Sequence, residues 1–238
     1  MFIYDSHCHL EYIRTLKRHD MPAVVPAVTL KDVKALAELR GNYPGYKIGI
    51  GLHPWFIPKS LSIQALELDL NQLIMQTQPD FIGEIGLDYL RPNPQLQLIV
   101  LHCQLQLARQ FNLPVVLHCV KAYNDVLKLL KQQHINKGII HGFNANATVG
   151  QQFIDAGFLL GIGSLITKPS LINKHIQDLP LDKLVLESDA PFMPALHKPK
   201  SSSLDSFLYA QIVAHKYNIN LIEVINQSNT NVIKLFRK

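Results

Sequence analysis

The sequence predicts an α/β protein of the (β/α)8 TIM-barrel type. Short β-rich runs alternate with helical stretches from end to end, several of those runs are continuously apolar, and six residues of metal-binding type fall at or just after their C-terminal ends. Parallel strands buried on both faces read as unbroken apolar runs. Barrel enzymes collect functional groups at C-terminal strand ends, because those ends and the loops after them form one face.

The expected strands are residues 2–5, 23–28, 47–52, 81–85, 115–118, 138–141, 158–162 and 183–187. Helical periodicity occupies the gaps. Residues 30–40 open after Thr29 with apolar Val33, Leu36, Ala37 and Leu39. Residues 95–111 place Leu98, Leu101, Leu105 and Ala108 along one side, and Asn112-Leu113-Pro114 stops them. Further helices are expected at 123–133, 148–156, 203–217 and 228–236. A doubly wound open sheet would want a glycine-rich phosphate loop after its first strand, and DSHCHL is nothing of the kind. With 238 residues, 47% of them hydrophobic, the chain can bury one large core but is short for two ordinary domains, so 1–238 reads as a single domain.

Composition narrows the class. No stretch approaches the roughly 20 apolar residues of a membrane helix. The opening MFIYDSHCHL sets Asp5 and two histidines where a signal peptide carries its apolar run. Cys8, Cys103 and Cys119 cannot pair completely and none lies in a C-x-x-C pattern, so a reduced, cytoplasmic setting is expected. The net charge of +5 tilts mildly towards anionic partners. The basic residues are scattered, however, and His197-Lys198-Pro199-Lys200 is the nearest approach to a cluster.

Position picks out the chemistry. His7 and His9 follow strand one, Glu84 ends strand four, His118 strand five, His141 strand six, and Asp189 follows strand eight. Residues two apart on an extended chain point the same way, so His7 and His9 project together while Cys8 turns away into packing. Glu84 is a carboxylate inside the apolar run FIGEIGLDY, and a buried carboxylate needs a partner. That partner is either a salt bridge or a pair of cations bridged by its two oxygens. His118 and His141 each end an apolar run. Either alone reads as a satisfied core histidine, but both at the same strand end favour ligation. Asp189, in LVLESDAPFMP, can touch a metal and accept a proton from water. Asp88 either supports a ligand or caps a turn, and Glu187 either orients a ligand or makes a structural hydrogen bond. The nitrogen–oxygen set suits Zn²⁺, Mn²⁺ or a similar ion.

These strings together resemble the TatD family of metal-dependent deoxyribonucleases. DSHCHL, GLHPWF, GEIGLDY, PVVLHC, IIHGF and LESDAP occur in the family's order across nearly the whole chain. The resemblance implies a TIM-type barrel, a cytoplasmic location and two divalent ions (Zn, Mg or Mn). It implies that His7, His9, Glu84 and Asp189 hold one ion and that Glu84, His118 and His141 hold the other. Asp189 and Glu84 are then the catalytic carboxylates, Asp189 as the base. His53 falls on the Gly-x-His-Pro motif and would touch a substrate phosphate, although it also reads as a loop-packing histidine. The chain departs from the family where Cys119-Val120-Lys121 replaces the usual arginine, leaving Lys121 as the nearby cation. It departs again at His141-Gly142-Phe143-Asn144-Ala145 and at His197-Lys198-Pro199-Lys200.

The expected activity is hydrolysis of a phosphoester, with DNA cut from an end as the substrate the resemblance implies. A small-molecule metallohydrolase acting on a phosphate monoester, amide or lactone is the alternative. The amide and lactone version is weakened because no lysine ends a predicted strand to bridge two metals. A non-catalytic metal-binding barrel would be signalled by a missing ligand, and all six are present. The expected partner is therefore DNA or a small phosphoester, with no membrane, and a monomer is compatible with it.

Overall fold

The computed structural model describes residues 2–12 and 21–237. The chain forms two compact units, one of Pro26–Gly138 and one of Met1–Val25 with Ile139–Lys238. Among the described residues no helix is long and apolar enough to cross a membrane.

In the Pro26–Gly138 unit, strand β1 (Val24–Pro26) leads in, followed by α1 (Val33–Asn42), β2 (Lys47–Ile50), α2 (Ile63–Thr77), β3 (Phe81–Asp88), α3 (Pro94–Gln110), β4 (Val115–Val120) and α4 (Tyr123–Gln132). Strands β2, β3 and β4 pair in parallel, with Ile50 opposite Ile82 and Gly86 opposite His118. All eight residues of β3 are buried. The strand runs three residues beyond the expected 85, because Leu87 and Asp88 pair with Cys119 and Val120. Its register slips between Ile82 and Ile85, and Glu84 sits in that irregularity with its N–H on the Ala27 carbonyl at 2.8 Å. Helix α2 is absent from the expected set, although Leu66, Leu70 and Ile74 recur every four residues and are buried. Ser62 caps it by accepting from the Ala65 N–H.

Helix α3 begins with proline at its first turn and buries Leu101, Leu105 and Ala108 of the face the periodicity predicts, while Leu98 is only half-buried and Val100 takes a core place instead. It also buries Gln97 and Gln104, seven residues apart and so on one side. Gln104 accepts from the Leu52 N–H at 2.7 Å and donates to the Leu52 carbonyl at 3.2 Å. Gln97 does the same for Asp88, at 2.8 and 3.0 Å. Each amide stands in for a missing strand neighbour, at a point where the main chain is buried and must find a partner.

The other unit carries β5 (Gly138–Ile140), α5 (Ala147–Asp155), β6 (Phe158–Ile162), α6 (Leu171–His175), β7 (Leu184–Leu186), α7 (Asp205–Tyr217) and α8 (Leu221–Leu235). Strands β6 and β7 pair in parallel. The expected strand at 2–5 does not form a ladder. Asp5 makes one isolated parallel bridge to Ala23, while Cys8 donates to the Val24 carbonyl and Ser6 to that of Leu186. The reason lies in the Asp5 side chain. Its carboxylate accepts from the Ser188 N–H at 2.8 Å and the Ser188 hydroxyl at 2.6 Å, doing the work of ladder bonds. Burial pushes this carboxyl up to about 7, against the pull of those hydrogen bonds.

Helix α8 begins at Leu221, seven residues before the expected 228, with Asn220 as its cap. It serves β7 and the N-terminal segment as α3 serves β3. Ser228 accepts from the Leu186 N–H, Asn231 donates to the Leu184 carbonyl, and Asn229 accepts from Tyr4 and donates to Phe2.

Gln104→Leu keeps the volume but strands the buried N–H and C=O of Leu52. Each such loss costs roughly 1–3 kcal/mol, so the unfolding free energy should fall by about 2–4 kcal/mol in urea titration. Gln110→Leu, exposed on the same helix, should change it by under about 0.5 kcal/mol.

Candidate active site

In the unit of Met1–Val25 with Ile139–Lys238, four of the six predicted ligands converge. The main chain from Asp5 to Cys8 is fixed on both sides, so His7 and His9 project together as their spacing predicts, with Nε2 atoms 3.2 Å apart. Asp189 Oδ1 lies 3.7 Å from His7 Nε2 and 3.5 Å from His9 Nε2. His141 stacks on His7, with ring centroids 3.9 Å apart and planes 14° from parallel. His7, His141 and Asp189 each bring a ligand atom within 4.8 Å of one another. Cys8 is fully buried in packing, as expected.

Asp189 is set by its backbone. It adopts a left-handed φ of 52°, which aspartate tolerates better than most residues. Its N–H donates to the His7 carbonyl at 2.9 Å, and its own carbonyl accepts from Phe192 at 2.7 Å. Burial alone would raise its carboxyl. The hydrogen bond to His9 and the charges of His141, His7 and His9 outweigh that and hold it below the usual range. Behind His141, Glu187 Oε1 lies 3.6 Å from Nδ1 and accepts from the Gly142 N–H at 2.6 Å. Glu187 thus faces His141 and makes a structural bond as well. Gly161 gives it room, since a Cβ there would lie 2.1 Å from Glu187 Oε2.

In the Pro26–Gly138 unit, Glu84, His118 and His53 form a second cluster. Glu84 Oε1 lies 3.1 Å from both His118 Nδ1 and His53 Nε2. His53 accepts from the Trp55 N–H on Nδ1, which places the proton of the neutral ring on Nε2. His118 Nε2 is 3.4 Å from Asp88 Oδ2, the arrangement in which a carboxylate steadies a ligating imidazole. Asp88 also caps its turn, accepting from Leu90 on Oδ1 and from Trp55 Nε1–H on Oδ2. Burial opposes the charge on Asp88, but the bonds from His118, Trp55 and Leu90 prevail and lower its carboxyl to about 2. Both roles considered for Asp88 are therefore filled. Lys121, the other predicted substrate residue, is exposed just past β4 with φ of 55°.

The donor sets fit a divalent cation. Nitrogen and oxygen ligands about 2.0–2.2 Å from a tetrahedral zinc lie roughly 3.3–3.6 Å from one another. The triangle of His7, His9 and Asp189 has sides of 3.2, 3.5 and 3.7 Å. When Nε2–H of His118 goes to Asp88, its Nδ1 lone pair faces Glu84 across 3.1 Å, close to that same ligand–ligand separation.

A family model described as TatD related DNase matches residues 4–237. The chain belongs to the TatD family. A metal-dependent hydrolase of Haemophilus influenzae is 32% identical over 219 residues, covering 82% of this chain and 83% of its own. Human deoxyribonuclease TATDN3 is 26% identical and covers 99% of this chain and 95% of its own. The crystal structure of the TatD homolog YjjV from Escherichia coli superimposes with a TM-score of 0.88 at 27% identity, covering 98% of this chain and 97% of that one. The fold class read from the sequence, an α/β barrel of the TIM type, is thus the fold of this TatD protein, and its class of chemistry is metal-dependent hydrolysis.

Sequence reasoning missed the parts that brace this TatD site. Gln97, Gln104 and Ser188 are polar letters of the kind usually assigned to solvent, and all three are buried. The seven-residue spacing of Gln97 and Gln104 within a helix's apolar stripe was the available signal.

Gly86 tests how tightly β3 and β4 hold the second cluster. A Cβ there would lie 1.9 Å from the His118 carbonyl oxygen, and φ of 148° is itself unfavourable for a side chain. Gly86→Ala should lower stability by about 2–3 kcal/mol in urea and weaken cation binding by shifting His118. Wild-type zinc titration with an unchanged unfolding midpoint would show that the strands give way freely.

Proposed function

We propose that this TatD protein hydrolyses phosphodiester bonds in DNA with the help of divalent cations. The observation that carries the reading is the near-tetrahedral triangle of His7, His9 and Asp189 in a chain of this family. The deoxyribonuclease activity named for human TATDN3 and the net charge of +5 support the choice of substrate. His7, His9, His141 and Asp189 form one donor set and Glu84 with His118 a second, and Zn²⁺ or Mn²⁺ suits both. A divalent cation in such a set polarises a phosphoryl oxygen and makes water acidic enough to attack at neutral pH.

The residues around it divide the work. Asp189, held ionised by its histidines, takes the proton of the attacking water. Glu187 keeps His141 turned towards its neighbours, and Asp88 does so for His118. Glu84 orders its cluster by facing two imidazoles with one oxygen. His53 offers its Nε2–H to an entering phosphoryl oxygen, and Lys121 adds a positive charge past β4. Both remain the substrate residues of this reading.

Purified protein should cleave single-stranded DNA or a generic phosphodiester with added Mn²⁺ or Zn²⁺, lose activity in EDTA and regain it when the cation returns. Turnover of amides or lactones, with no phosphoester cleaved under any metal, would overturn the reading.

Asp189→Asn is nearly isosteric, and asparagine also accepts a left-handed φ. The fold and most substrate binding should survive, with kcat down about 10²–10⁴-fold and KM within a few-fold. Bound metal must be quantified at saturation. A mutant that holds its metal and keeps normal kcat would remove Asp189 as the base.

A further inference from the structure

Arg91 stands beside the second cluster in a fixed position. Its N–H donates to the Asp88 carbonyl at 3.0 Å, closing the turn after β3. Its guanidinium carbon lies 4.2 Å over the Trp55 ring. Trp55 in turn packs edge-on against His53 and His118, with centroids 5.3 and 5.8 Å away. One aromatic ring therefore separates the cation from two imidazoles of the cluster. Half of the Arg91 side chain is exposed.

Its nearest acid, Asp88, holds it only as a distant ion pair. Arg91 Nε is 4.0 Å from Asp88 Oδ2, beyond hydrogen-bond range. That oxygen is already served by Trp55 Nε1–H at 2.6 Å and faces His118 at 3.4 Å, while Oδ1 takes the Leu90 N–H. Among the described residues the Arg91 guanidinium makes no hydrogen bond. A planar group with five donors, seated over an indole ring and left without a hydrogen bond at the rim of an imidazole–carboxylate cluster, matches the paired oxygens of a phosphate.

We propose that Arg91, on its Trp55 support, binds a phosphate of the substrate beside the His53–Glu84–His118 cluster. The proposal rests on the phosphodiesterase reading and assigns the substrate grip to a residue that the motifs did not single out. Lysine cannot replace it fully, because a point charge lacks the two parallel N–H groups and stacks less well on the indole.

The test uses the full chain as wild type, Arg91→Ala, Arg91→Gln and Arg91→Lys. Binding of a fluorescein-labelled single-stranded oligonucleotide is followed by anisotropy in EDTA, with inorganic phosphate as competitor. Steady-state cleavage is measured with Mn²⁺, alongside bound metal and thermal melts. Arg91→Ala and Arg91→Gln should weaken oligonucleotide and phosphate binding and raise KM about 10–100-fold, the loss expected for a charge-assisted pair. Metal content, melting and kcat should stay close to wild type, and Arg91→Lys should recover only part of the loss. Binding and KM within twofold of wild type in both neutral variants would overturn the proposal. A parallel fall in bound metal would also overturn it, since Arg91 would then act through Asp88 on the cluster. Wild-type DNA cleavage with an indifferent Arg91→Ala leaves the nuclease reading standing without this site. Arg91-dependent phosphate binding with no phosphoester cleaved under any metal leaves the site standing without the nuclease.

Discussion

A main-chain N–H or C=O buried without a partner costs about as much as a lost hydrogen bond, and much of this molecule answers that constraint. Strands β1, β5 and β7 are three residues long, too short for their ladders to satisfy the chain entering and leaving them. The helices make up the shortfall with side chains. Gln97 and Gln104 of α3 hold Asp88 and Leu52, and Ser228, Asn229 and Asn231 of α8 hold β7 and the N-terminal segment. The positions so held lie next to the chemistry. Leu52 precedes His53, Asp88 backs His118, and Leu186 leads to Glu187 and Asp189. Polar groups buried against helices are thus how the fold makes functional side chains rigid at strand ends.

The electrostatics follow from that rigidity. Asp189 and Asp88 are buried carboxylates, which desolvation alone would neutralise, yet imidazoles and N–H donors hold both in the charged form. Asp5 has no cationic neighbour among the causes that act on it, and burial prevails there. The same residue type therefore stays charged among imidazoles in one place and serves as a structural clamp on Ser188 in another. The difference lies in which donors surround it.

Much of this was legible in the sequence. Apolar runs bounded by helical periodicity located every strand that forms among the described residues, and 158–162 matched to the residue. Ligand-type residues at strand ends named most members of the two clusters but not their grouping, since His141, expected with Glu84 and His118, stacks on His7, and His53 stands with Glu84 and His118 instead. The ladder expected at 2–5 failed because Asp5 spends its carboxylate on bonds that a ladder would have made, which no alternation pattern reports. Helix α2 was missed despite its four-residue spacing, since exposed Leu68 and Met75 blur its apolar stripe and its flanks carry no motif. The third member of the second cluster was legible only in part. His53 is recognisable from its motif, but its approach to Glu84 depends on the Pro54–Phe56 turn that it caps.

The division of the chain also sets an order of assembly. One unit is the continuous stretch Pro26–Gly138, while the other joins Met1–Val25 to everything after Ile139. During synthesis the continuous unit is complete on the ribosome before the other has its second half. The segment that carries His7 and His9 must wait for Leu186, Ser188 and Asn229, which follow the whole continuous unit in sequence. His7 and His9 are therefore translated early and positioned late, and a nascent chain stalled before β7 carries both histidines with none of these anchors yet made.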